Sequence, residues 1–202
     1  MTTLFFLVRH GRHAGFGERL LGRTPGIHID EEGRAQARRV APKVRAFAEA
    51  GQWSPVTVVA SPRERTQDTA AVIAADLGLP LEVSGAFDEI DVGEWAGKRF
   101  EELAHDPRWR IWNEDREHAR APGGETMAEA QHRALEGLGR LATRYDERIV
   151  VVVSHADVIK SVLLSELGMP LGHYWKIDIG PGEFGLLSRE PGETCPLRET
   201  YA

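Results

Sequence analysis

The chain has 202 residues, 42% hydrophobic and 28% charged, with a formal net charge of -6 at neutral pH. That length suffices for one well-buried core and does not require two small domains. The acidic balance excludes any general attraction to nucleic acid or to an anionic membrane, so an anionic ligand must be held by local positive charge.

In chain order, Met1-Thr2-Thr3 lacks the basic start, longer apolar stretch and cleavage site of a signal peptide. No apolar run approaches the roughly 20 residues that span a bilayer. The chain therefore reads as soluble and cytoplasmic. Leu4 to Val8 is a continuous apolar run that stops abruptly at Arg9-His10-Gly11. Such a run, without alternation, suits a strand covered on both faces in a parallel sheet. Asp30 is placed to cap a helix over about Glu31 to Ala50, with apolar positions at Ala37, Val40, Ala41, Val44, Phe47 and Ala48. Val56 to Ala60 is a second strand, rich in β-branched residues, and Glu64 to Leu77 a second helix ended by Gly78. Trp95 to Pro122 breaks the rhythm with three of the five tryptophans and many charges. It reads as a helical, cap-like excursion over the sheet edge, where loops shape a ligand site.

A third helix is expected over about Met127 to Tyr145, a third strand over Ile149 to Val153, and a fourth helix over Val158 to Leu167, ended by Gly168. Gly180-Pro181-Gly182 and then Phe184 to Leu187 read as a closing turn and strand. The tail from Pro191 onward, with the lone Cys195, reads as poorly ordered. One cysteine excludes an intramolecular disulfide and a multi-cysteine metal site. No internal repeat or linker appears, so residues 1–202 form one α/β domain with a mostly parallel sheet.

Open α/β sheets bind ligands beyond the carboxyl ends of their strands. Those ends deliver Arg9-His10-Gly11, Ser61-Pro62-Arg63 and Ser154-His155-Ala156-Asp157. Two arginines and two histidines, far apart in sequence, thus converge on one sheet edge. A phosphoryl dianion is their natural ligand. Arginine offers planar, permanently charged donors, and histidine can attack phosphorus or donate to developing negative charge.

Leu7-Val8-Arg9-His10-Gly11 resembles the signature of the histidine phosphatase superfamily, which includes cofactor-dependent phosphoglycerate mutases. Four further segments match in order: 61–70, from Ser61-Pro62-Arg63 to Thr69-Ala70; 87–95, from Phe87-Asp88-Glu89 to Trp95; 122–126; and 153–159. The resemblance covers about residues 4–188 and implies a three-layer α/β/α sandwich. It implies that His10 is the nucleophile that becomes phosphorylated, that Arg9, Arg63 and a protonated His155 hold the phosphoryl oxygens, and that Glu89 protonates the leaving oxygen. Gly11, Arg12, Arg23 and Ala156 complete the expected substrate-contacting set. His10 must be neutral to attack, with one ring nitrogen tied to a backbone carbonyl. Glu89 must start protonated. Glu94 and Asp157 are alternatives for that acid. No metal or organic cofactor is implied.

Two departures from the family pattern bear on the substrate. His13 stands where many members carry Thr, and Phe16 where they carry Asn, both near the phosphate. Ala156-Asp157 follows His155 where Gly-Gly or Gly-Val is more typical, which brings a carboxylate toward the pocket. Both lean toward a phosphatase of a small phosphorylated metabolite. A mutase remains open through Arg12, Arg19 and Arg23, and so does a non-catalytic module that binds a phosphorylated ligand. The pair His10 and His13 lacks the further ligands of a metal site. Gly15-Phe16-Gly17 lacks the third glycine of a dinucleotide loop, because position 20 is Leu. Oligomeric state is open.

Overall fold

The computed structural model describes residues 2–192. Its strands are β1 (Thr3–Arg9), β2 (Pro55–Ala60), β3 (Leu81–Val83), β4 (Ile149–Ser154) and β5 (Phe184–Arg189). They form one sheet in the order β3-β2-β4-β1-β5, with β5 alone antiparallel. The helices are α1 (Glu31–Arg38), α2 (Val40–Gly51), α3 (Glu64–Leu77), α4 (Phe100–Leu103), α5 (Pro107–Glu114), α6 (Met127–Arg144) and α7 (Ala156–Glu166). None of the described helices is long and apolar enough to cross a membrane.

The strand residues alternate between two cores, which makes the three layers. Phe6, Val8, Val58, Ala60, Val151 and Val153 pack with Val40, Val44, Ala70 and Ile73 of α2 and α3. Phe5, Leu7, Val59, Val150 and Val152 pack with α6, α7 and the 95–122 segment. Central β4 is buried along its whole length, as expected of a strand covered on both faces.

The expected helix over 31–50 is two helices that meet at Arg39. Pro42 explains the break: it lacks the N–H that would bond the Arg38 carbonyl, and its ring would crowd that carbonyl. Asp30 does cap α1, accepting from Gly33 N at 2.8 Å. Strand β3, Leu81-Glu82-Val83, is too short to give a periodic signal and was not expected from the sequence. The closing strand is β5. The tail from residue 193 on, with Cys195, lies outside the described residues.

The register aligns the strand ends. Arg9 pairs with Ser154, and Val153 lies between Val8 and Ala60. His10 N then donates to Ser154 O, and Ser61 N to Val153 O, both at 3.0 Å. His10, Ser61 and His155 therefore leave the sheet side by side at its carboxyl edge.

Candidate active site

His10 is 4% exposed, and its Nδ1 lies 2.9 Å from the Gly11 carbonyl oxygen. A carbonyl only accepts, so Nδ1 bears the hydrogen and Nε2 keeps its lone pair. Burial, then the Arg65 guanidinium, holds the imidazole pKa well below its ordinary value, so the ring is neutral. Gly11 packs on the start of α1, where an added Cβ would fall 2.5 Å from Gly33 O. Its N–H donates to Thr69 Oγ1 at 2.9 Å.

The second arginine at this site is Arg65, two residues beyond the expected Arg63. Arg63 is the extended N-cap residue of α3. Its guanidinium sits 3.0 Å from Asp88 and donates to the Arg23 carbonyl at 2.9 Å, outside the cavity wall. Arg65 is 2% exposed and donates through Nη2 to Gly22 O at 2.7 Å and to His155 Nδ1 at 3.1 Å. It lines the cavity. Arg9 lines it as well and donates to Ile179 O at 2.6 Å. Arg9 Nε and Arg65 Nη1 are buried donors without a hydrogen-bond partner. Two such guanidinium donors beside a neutral histidine suit an anion with several oxygens.

His155 is fully buried, its ring centroid 5.3 Å from that of His10 and its Nδ1 against Arg65. Its Nε2 lies 2.8 Å from Ser61 Oγ, which in turn lies 3.3 Å from Asp88 Oδ1. With Arg65 donating to Nδ1, the hydrogen is on Nε2 and the chain of donors runs from His155 through Ser61 to Asp88. The expected imidazolium is therefore replaced by a neutral ring. Burial, then Arg65 and His10, pushes its pKa well below the usual value.

Glu89 Oε2 lies 3.4 Å from His155 Nδ1 and 3.7 Å from Arg65 Nη2. Burial raises its pKa from 4.5 to about 7, with Arg65 opposing and Asp157 adding to the rise. Of the two other acids, Glu94 is exposed and paired with Arg108. Asp157 does line the cavity and lies 3.5 Å from Arg116.

The cavity has a volume of about 210 Å³. Ala156 is in its wall. Arg12 and Arg23 are not: Arg12 points to Asp30, 3.7 Å away, and Arg23 is bound by Glu125 at 2.9 Å and by the Glu89 carbonyl at 2.8 Å. His13, by contrast, is buried in the wall, its ring centroid 5.6 Å from that of His10. Among the described residues, no group of three potential metal ligands forms.

Sequence reasoning missed Arg65, although a signal existed. Arg65, Thr69 and Ile73 recur at the helical spacing of four and all face inward on α3, whereas Arg63 precedes that stripe.

The model of the histidine phosphatase superfamily (branch 1) matches residues 5–198. A phosphoserine phosphatase of Hydrogenobacter thermophilus is 27% identical over 94% of this chain and 93% of its own length. An acid phosphatase of Mycobacterium tuberculosis is 27% identical over 92% and 86%. A bifunctional protein of the same organism is 32% identical over 88% of this chain, which spans 48% of that longer protein. Among solved structures, a mycobacterial glucosyl-3-phosphoglycerate phosphatase superposes with a TM-score of 0.76 at 26% identity, covering 93% of this chain and 89% of that one. The chain belongs to the histidine phosphatase superfamily. It is a phosphatase, in the class of phosphoric monoester hydrolases.

Proposed function

We propose that this phosphatase hydrolyses small phosphate monoesters through a phosphohistidine at His10. The observation that carries the reading is the 2.9 Å contact of His10 Nδ1 with Gly11 O, which puts the hydrogen on Nδ1 and leaves Nε2 with its lone pair as nucleophile. Nε2 attacks phosphorus, an N–P bond forms as the ester P–O bond breaks, and the leaving oxygen takes the proton of Glu89. Arg9 and Arg65 offset the charge on the remaining phosphoryl oxygens, and such preorganised donors are often the largest contribution to rate. Water then attacks phosphorus, the N–P bond breaks, and the Glu89 carboxylate accepts the proton of the water. A carboxyl near pH 7 serves both halves at neutral pH. His155, held by Ser61 and Arg65, orients the guanidinium and lies against the acid.

Hydrolysis is favoured over mutase chemistry by the placement of Arg12 and Arg23, which face acidic partners outside the cavity. Re-docking a phosphoglycerate needs free cations there. A panel of monoesters, with 3-phosphoglycerate and 2,3-bisphosphoglycerate included, tests the reading in native enzyme and in His10→Ala. Phosphate release should vanish in the variant while its thermal melt stays unchanged, and no phosphoglycerate should isomerise. Undiminished release from His10→Ala would remove His10 as nucleophile.

A further inference from the structure

We propose that the outer half of the cavity is a subsite for an aromatic or otherwise apolar leaving group, set by Phe16 and Phe100. It rests on the reading above in one respect, that the phosphoryl group occupies the His10 end.

Phe16 and Phe100 are 38% and 39% exposed, and both line the same cavity with Leu20 and Leu21. A single exposed aromatic needs no explanation. Two aromatics and two leucines around one concave, phosphate-suited site form a lining that ligand pockets share.

The rim is also preformed. Phe16 lies under the Arg9 guanidinium, 5.1 Å from Cζ to ring centroid, and meets the His13 ring edge-on at 5.7 Å. Phe100 packs at 6.3 Å on Trp109, which stacks on Trp112 at 5.2 Å and meets Trp95 at 5.3 Å. The two rim segments are stitched together: Leu20 N donates to Lys98 O at 2.9 Å, Gly97 N to Leu20 O at 2.8 Å, and Phe100 N to Glu18 O at 3.3 Å. Rings held in place this way lose little freedom when a ligand enters.

Charge in the outer half selects in the same direction. Arg19 lines the cavity, with Nη1 donating to Gly97 O at 2.8 Å, and Asp157, in the same wall, supplies an opposing carboxylate. A leaving group with a second phosphate or several carboxylates would meet Asp157, with Arg9 and Arg65 engaged by the phosphoryl group and Arg19 tied to Gly97 O. An apolar body would meet four hydrophobic side chains.

The probes are 2-phenylethylphosphonate and ethylphosphonate, whose C–P bonds resist hydrolysis and which differ only by the phenyl ring. Calorimetry on the native protein should show the phenyl compound bound about tenfold more tightly, equivalent to about 1.4 kcal/mol. Phe100→Ala should reduce that preference to below about threefold, and Phe100→Leu should retain most of it. Equal affinities, or a preference that survives Phe100→Ala, would overturn the subsite, as would no binding of either probe. The corresponding phosphate esters are assayed in parallel for hydrolysis that depends on His10. Preferential binding without such hydrolysis would retire the functional reading and leave the subsite standing. Hydrolysis without preference would do the reverse.

Discussion

Replacing Glu89 by glutamine keeps the shape of the side chain and removes the acidic proton that the proposed mechanism gives to the leaving oxygen. Its pKa of about 7 makes the consequence calculable. In free enzyme, kcat/KM for an alkyl phosphate follows the protonated fraction of this acid: about one half at pH 7, about one eleventh at pH 8, and tenfold less for each further pH step. The same displacement fixes a stability effect. A carboxyl whose pKa is raised on folding binds more protons in the native than in the unfolded chain between 4.5 and about 7. Stability is therefore fully present below pH 4.5 and is lost as pH rises through about 7. At about 1.4 kcal/mol per tenfold change in proton affinity, the loss is of order 3 kcal/mol, and glutamine escapes it. We expect Glu89→Gln to lower kcat/KM for ethyl phosphate by about 10²–10⁴. The loss on 4-nitrophenyl phosphate should be much smaller, because that leaving group departs without a proton. The variant should also melt above native protein at pH 8, with the difference gone at pH 4. Equal losses on both esters, or a native alkyl-ester profile flat from pH 6 to 9, would refute the role of Glu89.

The two candidate arginines separate cleanly. Arg65→Ala should cost about 10²–10³ in kcat/KM by removing a buried donor that the proposed mechanism aims at the phosphoryl group, whereas Arg63→Ala should cost less than about tenfold because its guanidinium serves Asp88 and a carbonyl. Steady-state kinetics on one ester decides, and the opposite order would restore Arg63 to the site. Gly11→Ala forces a Cβ to 2.5 Å from Gly33 O, backbone that cannot yield cheaply. A destabilisation of about 1–3 kcal/mol should follow, read by urea unfolding, and a variant as stable as the native protein would show that the loop and α1 separate freely.

The layers, and the sheet edge where the candidate site lies, were legible in the chain's local patterning. Continuous apolar runs at Leu4–Val8 and Ile149–Val153 can only be satisfied in a sheet covered on both faces, and such strands end where Arg9-His10 and Ser154-His155 begin. The tautomer of His10 was foreseeable because a nucleophilic imidazole needs one nitrogen occupied. Direction and charge came from long-range packing. Arg63 is the extended N-cap of α3 and Arg65 lies in its first turn, so the two side chains leave the chain in different directions. The inward stripe of Arg65, Thr69 and Ile73 marks which one is buried, and the packing of α3 against the sheet brings it to the cavity. Arg12 and Arg23 read as phosphate ligands from their neighbours in sequence, yet Asp30, Asp91 and Glu125, brought in from other parts of the chain, hold them elsewhere. His155 was expected to be charged and is neutral, because Arg65 and burial, both products of folding, act on a ring whose own sequence context is silent about them. Periodicity and strand ends are local properties of a chain, whereas the side chain that faces another, and the charge it then carries, are set by residues far away in sequence.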